Sequence, residues 1–387
     1  MKDYKKLARD VFDYMVEARR ELHRRPCLTG DERETTEFIA KQMEALGIPY
    51  HIDGVNNLIG KIGGRPGKRI ALRADTDALP MVESTGLPFS SEKEGVMHAC
   101  GHDFHVANLL GAAKVLSENK RELNGIVYLC FQVSEEQSMG AFEVIEYLEK
   151  EGGVDGCFGL HVNPDGKTGS IGAKRGAIMA GSSLFEIEIN GRGGHGSTPW
   201  LSLDPIKPAM ETALRIAALP ATRFSAFDAI TVNPCSIISG SAANIVPDKA
   251  VIKGNFRFFR NELYAEIVDA IEAASEGIAL SYGVTATLTF AKNHSPPMIN
   301  RDEAFDRLER VLSAQSIPLE VLSEPWMGAD NFAEYLNRFG GLYCFGGVTA
   351  ENSAAYPVHN VRFNPDERAL AVFCEVFLAY TDAFLNE

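Results

Sequence analysis

The sequence predicts an α/β protein, a mixed and largely parallel sheet flanked by helices, interrupted by an inserted α+β domain. Three observations predict it. Apolar strand-like runs alternate with helix-like ones up to about residue 180, the next stretch has strands with one wet face, and the first pattern resumes beyond "HSPPMIN". At 387 residues the chain also exceeds one average core, since domains run about 100 to 200 residues.

The elements follow in order. An amphipathic helix is expected over residues 3–24, and "DERETTEFIAKQMEALG" gives a second, with an acidic first turn and Gly47 as its stop. β-rich runs occupy 57–62 and 69–75. After a loop, a helix starts at Asp103 or Phe104 and carries Val106, Leu109, Leu110, Ala113 and Leu116 on one face. A strand at 126–133, a helix from 140 to 150 and a strand at 156–161 complete this run, and such alternation implies parallel pairing with both faces covered.

In "SLFEIEING" the residues Phe185, Ile187 and Ile189 alternate with Glu186 and Glu188, as in a half-exposed strand. A helix at 204–218, strands at 230–238 and 249–259, a helix at 261–280 and a strand at 284–291 follow. That order, β-α-β-β-α-β, is a complete ferredoxin-like unit. Residues 181–293 are therefore expected to form the inserted domain, with 1–180 and 294–387 as the discontinuous domain around it. Helices at 302–315 and 329–338, a strand at 341–346 and a helix from 365 complete the latter.

Lysine plus arginine number 38 against 52 aspartates plus glutamates, a formal charge of −14, with no basic cluster. Nucleic acid and anionic membrane are poor partners for such a chain. The opening residues lack a signal peptide's apolar core and no later apolar run approaches roughly 18 residues, so a cytoplasmic protein with no membrane partner is expected. Seven scattered cysteines without a CxxC pair read mostly as buried free thiols in a reducing compartment.

Ligands of open α/β sheets gather beyond the carboxyl ends of the strands. "RIALRAD" ends in Asp75 with Asp77 just after, "IVYLCFQVSEE" ends in Glu135 and Glu136, "CFGLH" ends in His161, and the last strand leads to "YPVHN" and His359. The loop "MHACGHDFH" delivers Cys100 and His102 at a helix start, where the dipole favours thiolate. Thiolate, imidazole and carboxylate together suit zinc or another borderline divalent ion rather than calcium or magnesium. Asp75, Cys100, His102, Glu136, His161 and His359 exceed what one tetrahedral ion needs, so two metals are the economical reading. Glu135, left over beside a ligand, is placed as a general base for water. His98 and His105 read as support for ligands. Cys100 as a nucleophile activated by His98 or His105 would leave Glu135, Glu136 and His161 unexplained. A non-catalytic metal- or peptide-binding protein needs no base, and Glu135 argues against it.

With these residues assembled, the chain resembles the metallo-aminoacylase and carboxypeptidase family of amidohydrolases. The branch is that of hippurate hydrolase, indole-acetyl-amino-acid hydrolases and N-acetyldiaminopimelate deacetylase. "LRADTDALP", "MHACGHDFH", "EE", "GLHVNP", "GRGGHGS", "NIVPD" and "YPVHN" stand in that family's order and spacing. The resemblance implies a zinc-exopeptidase-like catalytic domain and a lid that is often a dimerisation surface, which allows a homodimer. It implies two divalent ions per chain, zinc or manganese ahead of cobalt or nickel, on Cys100, His102, Glu136, His161 and His359, with Cys100 bridging. Asp75 matches the aspartate that supports the centre, Glu135 the catalytic glutamate, and His195 a lid histidine that binds the reacting carbonyl. Asn244 and Arg257 fall where a substrate carboxylate is held, Arg257 having a surface-strand alternative.

The implied reaction is hydrolysis of an N-acyl amino acid (N-acetyl, benzoyl or similar) to a carboxylic acid and a free amino acid. A dipeptidase or carboxypeptidase of the same family is the alternative. "VSEEQSMGA", "HGSTPW" and Asn331 in "ADNF" depart from the branch pattern and bear on substrate choice. Trp200 and Trp326 lie close to such segments, where they would either shape an acyl pocket or simply pack.

Overall fold

The computed structural model describes residues 3–351 and 353–387. The chain divides into two compact units. One comprises Met1–Ile178, Met298–Pro325 and Asp330–Glu387, and the other Met179–Pro297 with Trp326–Ala329.

The first unit is built on an eight-stranded sheet. Its centre is four parallel strands in the spatial order Gly125–Gln132, Lys68–Asp75, Gly156–Lys167 and Gly341–Thr349. Leu58–Gly63 and Tyr50–Ile52 extend one edge by antiparallel pairing. On the other edge Ile171–Ala173 runs antiparallel to Gly341–Thr349, and Leu319–Val321 lies parallel beyond it. The central strands are apolar on both faces, with Ile70, Leu72, Val127, Leu129, Phe131, Phe158 and Leu342 buried. Helix His102–Glu118 is buried along almost its whole length and packs against helices Phe12–Arg24 and Ala369–Asn386.

Several details depart from the sequence expectation. The opening helix breaks at Val11 into Tyr4–Asp10 and Phe12–Arg24. Helix Ala369–Asn386 is, by length and composition, apolar enough to cross a membrane, contrary to the reading that no run approaches that length. It is 72% buried within the protein, as a core helix is. Strand Gly156–Lys167 outruns the expected 156–161, because its continuation pairs with Gly341–Thr349 after leaving Lys68–Asp75 behind. Strands such as Ile171–Ala173, Met298–Asn300 and Leu319–Val321 have three residues each, too few for a period to show.

The second unit has four antiparallel strands in the order Thr231–Ser239, Lys249–Phe258, Gly181–Asn190 and Thr285–Phe290. With helices Ile206–Ala217 and Leu263–Ser281 inserted in chain order, this is the β-α-β-β-α-β arrangement. Phe185, Ile187 and Ile189 face its core, while Glu186 and Glu188 pair across strands with Lys253 at 2.8 Å and Lys249 at 2.7 Å on the other face. The chain also returns to this unit at Trp326–Ala329, where Trp326 bridges to Met179. No local pattern signals that return.

Helix Phe332–Phe339 buries Phe332, Ala333, Tyr335 and Leu336, and the same burial pushes the Glu334 carboxyl up to about 7. The folded chain then holds a proton that the unfolded chain releases from about pH 4.5 upward, so Glu334 destabilises increasingly as pH rises from about 4.5 to about 7. Glu334→Gln should raise the unfolding temperature at pH 8 and leave it unchanged at pH 4. Thermal unfolding at the two pH values checks this, and a larger gain at pH 4 would contradict it.

Candidate metal centre

The parallel register sets the floor of the site. The pairing of these two strands runs as far as Arg73 and Gly159, and Asp75 and His161 follow two residues on in each. Around them the structure brings together Asp75, Cys100, His102, Glu135, Glu136, His161 and His359. Their donor atoms fall into overlapping sets, each with all atoms within 4.8 Å of one another: Cys100, His102 and His161; Cys100, Glu136 and His359; and His102, Glu135 and Glu136. Cys100 belongs to two of these sets.

Each side chain is held by local structure. Gly101 caps helix His102–Glu118 at φ 89°, and a Cβ there would meet Val162 Cγ2 at 2.6 Å, so only glycine lets the chain turn from Cys100 into the helix. Glu135 and Glu136 sit in a single 3₁₀ turn bracketed by Ser134 and Ser138, both left-handed at φ 62° and 53°. Such non-glycine residues cost about 1–3 kcal/mol each unless the surroundings enforce them. Here buried Glu32 does so, accepting from the Ser134 amide at 2.7 Å and hydroxyl at 2.9 Å. His359 is also left-handed, at φ 62°, and its amide donates to the carbonyl of Ala99 at 2.7 Å, tying its loop to that of Cys100.

Asp77 is the contact that sequence reasoning missed. It is fully enclosed; Oδ1 lies 3.1 Å from His102 Nδ1, and Oδ2 accepts from the Glu136 amide at 3.0 Å and from the Thr29 hydroxyl at 2.7 Å. The D-x-D spacing at a strand end was the available signal, since residues two apart share a face. Asp75 lies one step further back. Its Oδ1 is 2.5 Å from His105 Nδ1 and its Oδ2 is 3.7 Å from His102 Nε2. His98 is buried with neither ring nitrogen hydrogen-bonded, and burial pushes it down to about 4. Asp103, next to His102, accepts from Arg19 Nε at 2.9 Å and contacts His23 Nδ1 at 2.8 Å, all three enclosed.

The donor set fits divalent cations. His102 Nε2 and Glu136 Oε1 are buried without hydrogen-bond partners among the described residues and stand 3.9 Å apart. Glu136 Oε1 also faces His359 Nε2 at 3.4 Å, and Cys100 Sγ faces His161 Nε2 at 3.4 Å. Unpaired buried polar atoms are costly, and divalent cations held among these donors would satisfy them. Burial, with His105 and His102 beside it, holds the His161 imidazole well below its ordinary range, so it is a neutral donor. Burial also pushes the Cys100 thiol well above its usual value, outweighing His102. Burial, Asp330 and Glu136 hold the Glu135 carboxyl well above the ordinary carboxylate range.

His195, Asn244 and Arg257 lie in the second unit. His195 pairs with Ile245 in a two-stranded ribbon, and the Gly196 amide donates to the carbonyl of Asn244 at 2.8 Å, so His195 and Asn244 are neighbours. His195 Nδ1 accepts from the Ser197 amide at 3.1 Å and meets its hydroxyl at 2.7 Å, which leaves Nε2 to face outward. Arg257 stands on strand Lys249–Phe258, half-buried, with no carboxylate partner among the described residues, and burial lowers its pKa. Trp200 is 75% exposed rather than packed in a core.

The chain is similar over most of its length to known proteins. The chain is 35% identical over 368 residues to thermostable carboxypeptidase 1 of Saccharolobus solfataricus, covering 94% of this chain and 93% of that one. It is 36% identical over 360 residues to N-acetyl-L-cysteine deacetylase of Bacillus subtilis, covering 92% and 84%. The solved structure of the Bacillus subtilis YXEP protein, described as a dinuclear metal-binding peptidase, superposes with a TM-score of 0.85 at 31% identity, over 98% of this chain and 99% of that one. Residues 71–383 match the family described as peptidase family M20/M25/M40, and this chain belongs to it.

Proposed function

We propose that the protein is a metal-dependent amidohydrolase that cleaves the amide bond between an acyl group and an α-amino acid. The observation that carries this reading is the meeting of two donor sets at Cys100 with Glu135 beside them. Cys100, His102 and His161 would hold one divalent ion and Cys100, Glu136 and His359 the other, Cys100 being shared. Zinc and manganese are the ions we favour for this mixture of sulfur, nitrogen and oxygen. Such ions, when bound, supply Lewis-acid charge that polarises a carbonyl and lowers the pKa of water towards about 7.

The protein's own groups do the rest. Glu135 takes a proton from the attacking water and returns it to the leaving nitrogen. His195, with Nδ1 occupied by Ser197, has Nε2 left to donate to the carbonyl oxygen as charge develops on it. Asn244 and Arg257 would hold the amino acid's carboxylate. The deacetylase and carboxypeptidase names among the relatives describe one kind of bond, because a peptide cut at its last residue is an amino acid with a large acyl group. Acyl size is what separates the two substrate classes. We also propose a cytoplasmic location, in keeping with seven free cysteines, and a homodimer through the second unit, which exposes Leu214 and Leu280 on its helices.

The test is release of free amine from acetyl-, benzoyl- and longer acyl-amino acids and dipeptides with zinc or manganese added. Release from none of them overturns the reading in favour of a non-catalytic binding protein. Glu135→Gln should lower turnover by at least about 100-fold while two metals remain bound by elemental analysis. Arg257→Met should raise KM by roughly tenfold or more with kcat little changed, and only for substrates with a free carboxylate. An equal KM increase for carboxamide substrates would remove Arg257 from that role.

A further inference from the structure

We propose that Arg73 and His105 are positioning residues for one half of the metal pair, directing His161 through the backbone of Val162 and keeping Asp75 away from the cations. The inference rests on the two-cation reading above. It starts from a guanidinium with every donor engaged. Arg73 is 3% exposed and donates from Nε to Gln132 Oε1 at 3.1 Å and from Nη1 to Asp75 Oδ2 at 2.5 Å and Asp330 Oδ2 at 3.2 Å. Its Nη2 reaches Asn331 Oδ1 and Asp330 Oδ1, each at 3.1 Å. Asp330 is fixed in turn by the Tyr343 hydroxyl at 2.6 Å and the Phe332 amide at 2.7 Å.

Arg73 thus occupies one oxygen of Asp75, and the other faces His105 Nδ1 at 2.5 Å. The Val162 amide donates to His105 Nε2 at 3.0 Å. An amide N–H can only donate, so Nε2 carries the lone pair and Nδ1 carries the proton given to Asp75. The carbonyl of the same residue, Val162, accepts from His161 Nδ1 at 2.8 Å. That bond fixes the His161 tautomer and turns its Nε2 lone pair towards Cys100 Sγ, 3.4 Å away. The rings of His105 and His161 meet edge-on at 4.5 Å, which fixes the angle as well.

The same chain removes a competing site. Asp75, His102 and His105 also have donor atoms within 4.8 Å of one another, and they share His102 with the proposed pair. With Arg73 on one Asp75 oxygen and Val162 on His105 Nε2, two of those three donors are already engaged. A cation is then left the two sets that contain Cys100 and the set of His102, Glu135 and Glu136 between them.

Cobalt(II) titration of the full-length protein tests this without substrate, reading the number of ions bound and the thiolate-to-cobalt absorption. His105→Asn keeps a donor for Asp75 but leaves the Val162 amide without an acceptor, whereas His105→Gln places an amide oxygen near the Nε2 position. His105→Asn should weaken one of the two ions by about 10–100-fold and alter the thiolate absorption, with His105→Gln closer to wild type. Arg73→Met should bind cobalt in excess of two ions or with less thiolate absorption per ion, because Asp75 is freed. Where circular dichroism shows Arg73→Met unfolded, the His105 pair decides. Wild-type protein that binds two ions while the Asn and Gln variants behave alike, both intact or both impaired, overturns the inference alone. Wild-type protein that binds fewer than two overturns the two-cation reading and the inference with it.

Discussion

The carboxylate of Asp77 joins three segments that fold separately in sequence. One oxygen meets the imidazole that opens helix His102–Glu118, and the other accepts from the turn of Glu135 and Glu136 and from Thr29 near the start of the chain. Burial alone would raise the pKa of such a group, yet these contacts hold it below its usual value, so it stays charged where it sits. The positions of His102, of Glu136 and of the neighbouring Glu135 are all tied to that one side chain.

The two halves of the centre are supported differently. On the His102 side a carboxylate bonds directly to the imidazole. On the His161 side the carboxylate of Asp75 is two residues removed, with the His105 ring and the backbone of Val162 between it and the donor. Burial disfavours charge on both imidazoles, but Asp75, then Cys100 and Asp77, raise His102 above its usual value, whereas His105 and His102 add to burial in holding His161 neutral.

Much of this was legible in the sequence. Apolar strands ending in polar residues marked Asp75, Glu135, Glu136, His161 and the path to His359, because a parallel sheet gathers such ends at one edge. The alternation of Phe185, Ile187 and Ile189 with two glutamates marked the second unit, since one face of that sheet is wet. What stayed hidden were contacts between side chains far apart in sequence, which leave no period: Arg73 with Asp330, Glu32 with Ser134, Arg19 with Asp103. Asn331 shows the same limit. As a departure from a motif it bears on substrate choice, but its Oδ1 accepts from Arg73 and Gln132 while its Nδ2 donates to the Met139 carbonyl at 2.7 Å. A carboxylate there would have no donor for that carbonyl, so the amide belongs to this buried network as a whole.

The segment before residue 71, which the family match leaves out, contains Arg19, His23, Thr29 and Glu32. All four touch the residues that place the centre: Asp103, Asp77 and Ser134. The span of the family model and the span over which the site is built are therefore different lengths of chain. A fragment trimmed to that span would keep every donor proposed for the cations and lose the buried contacts that hold them in place, so the first seventy residues would belong to the proposed chemistry as much as the motifs do.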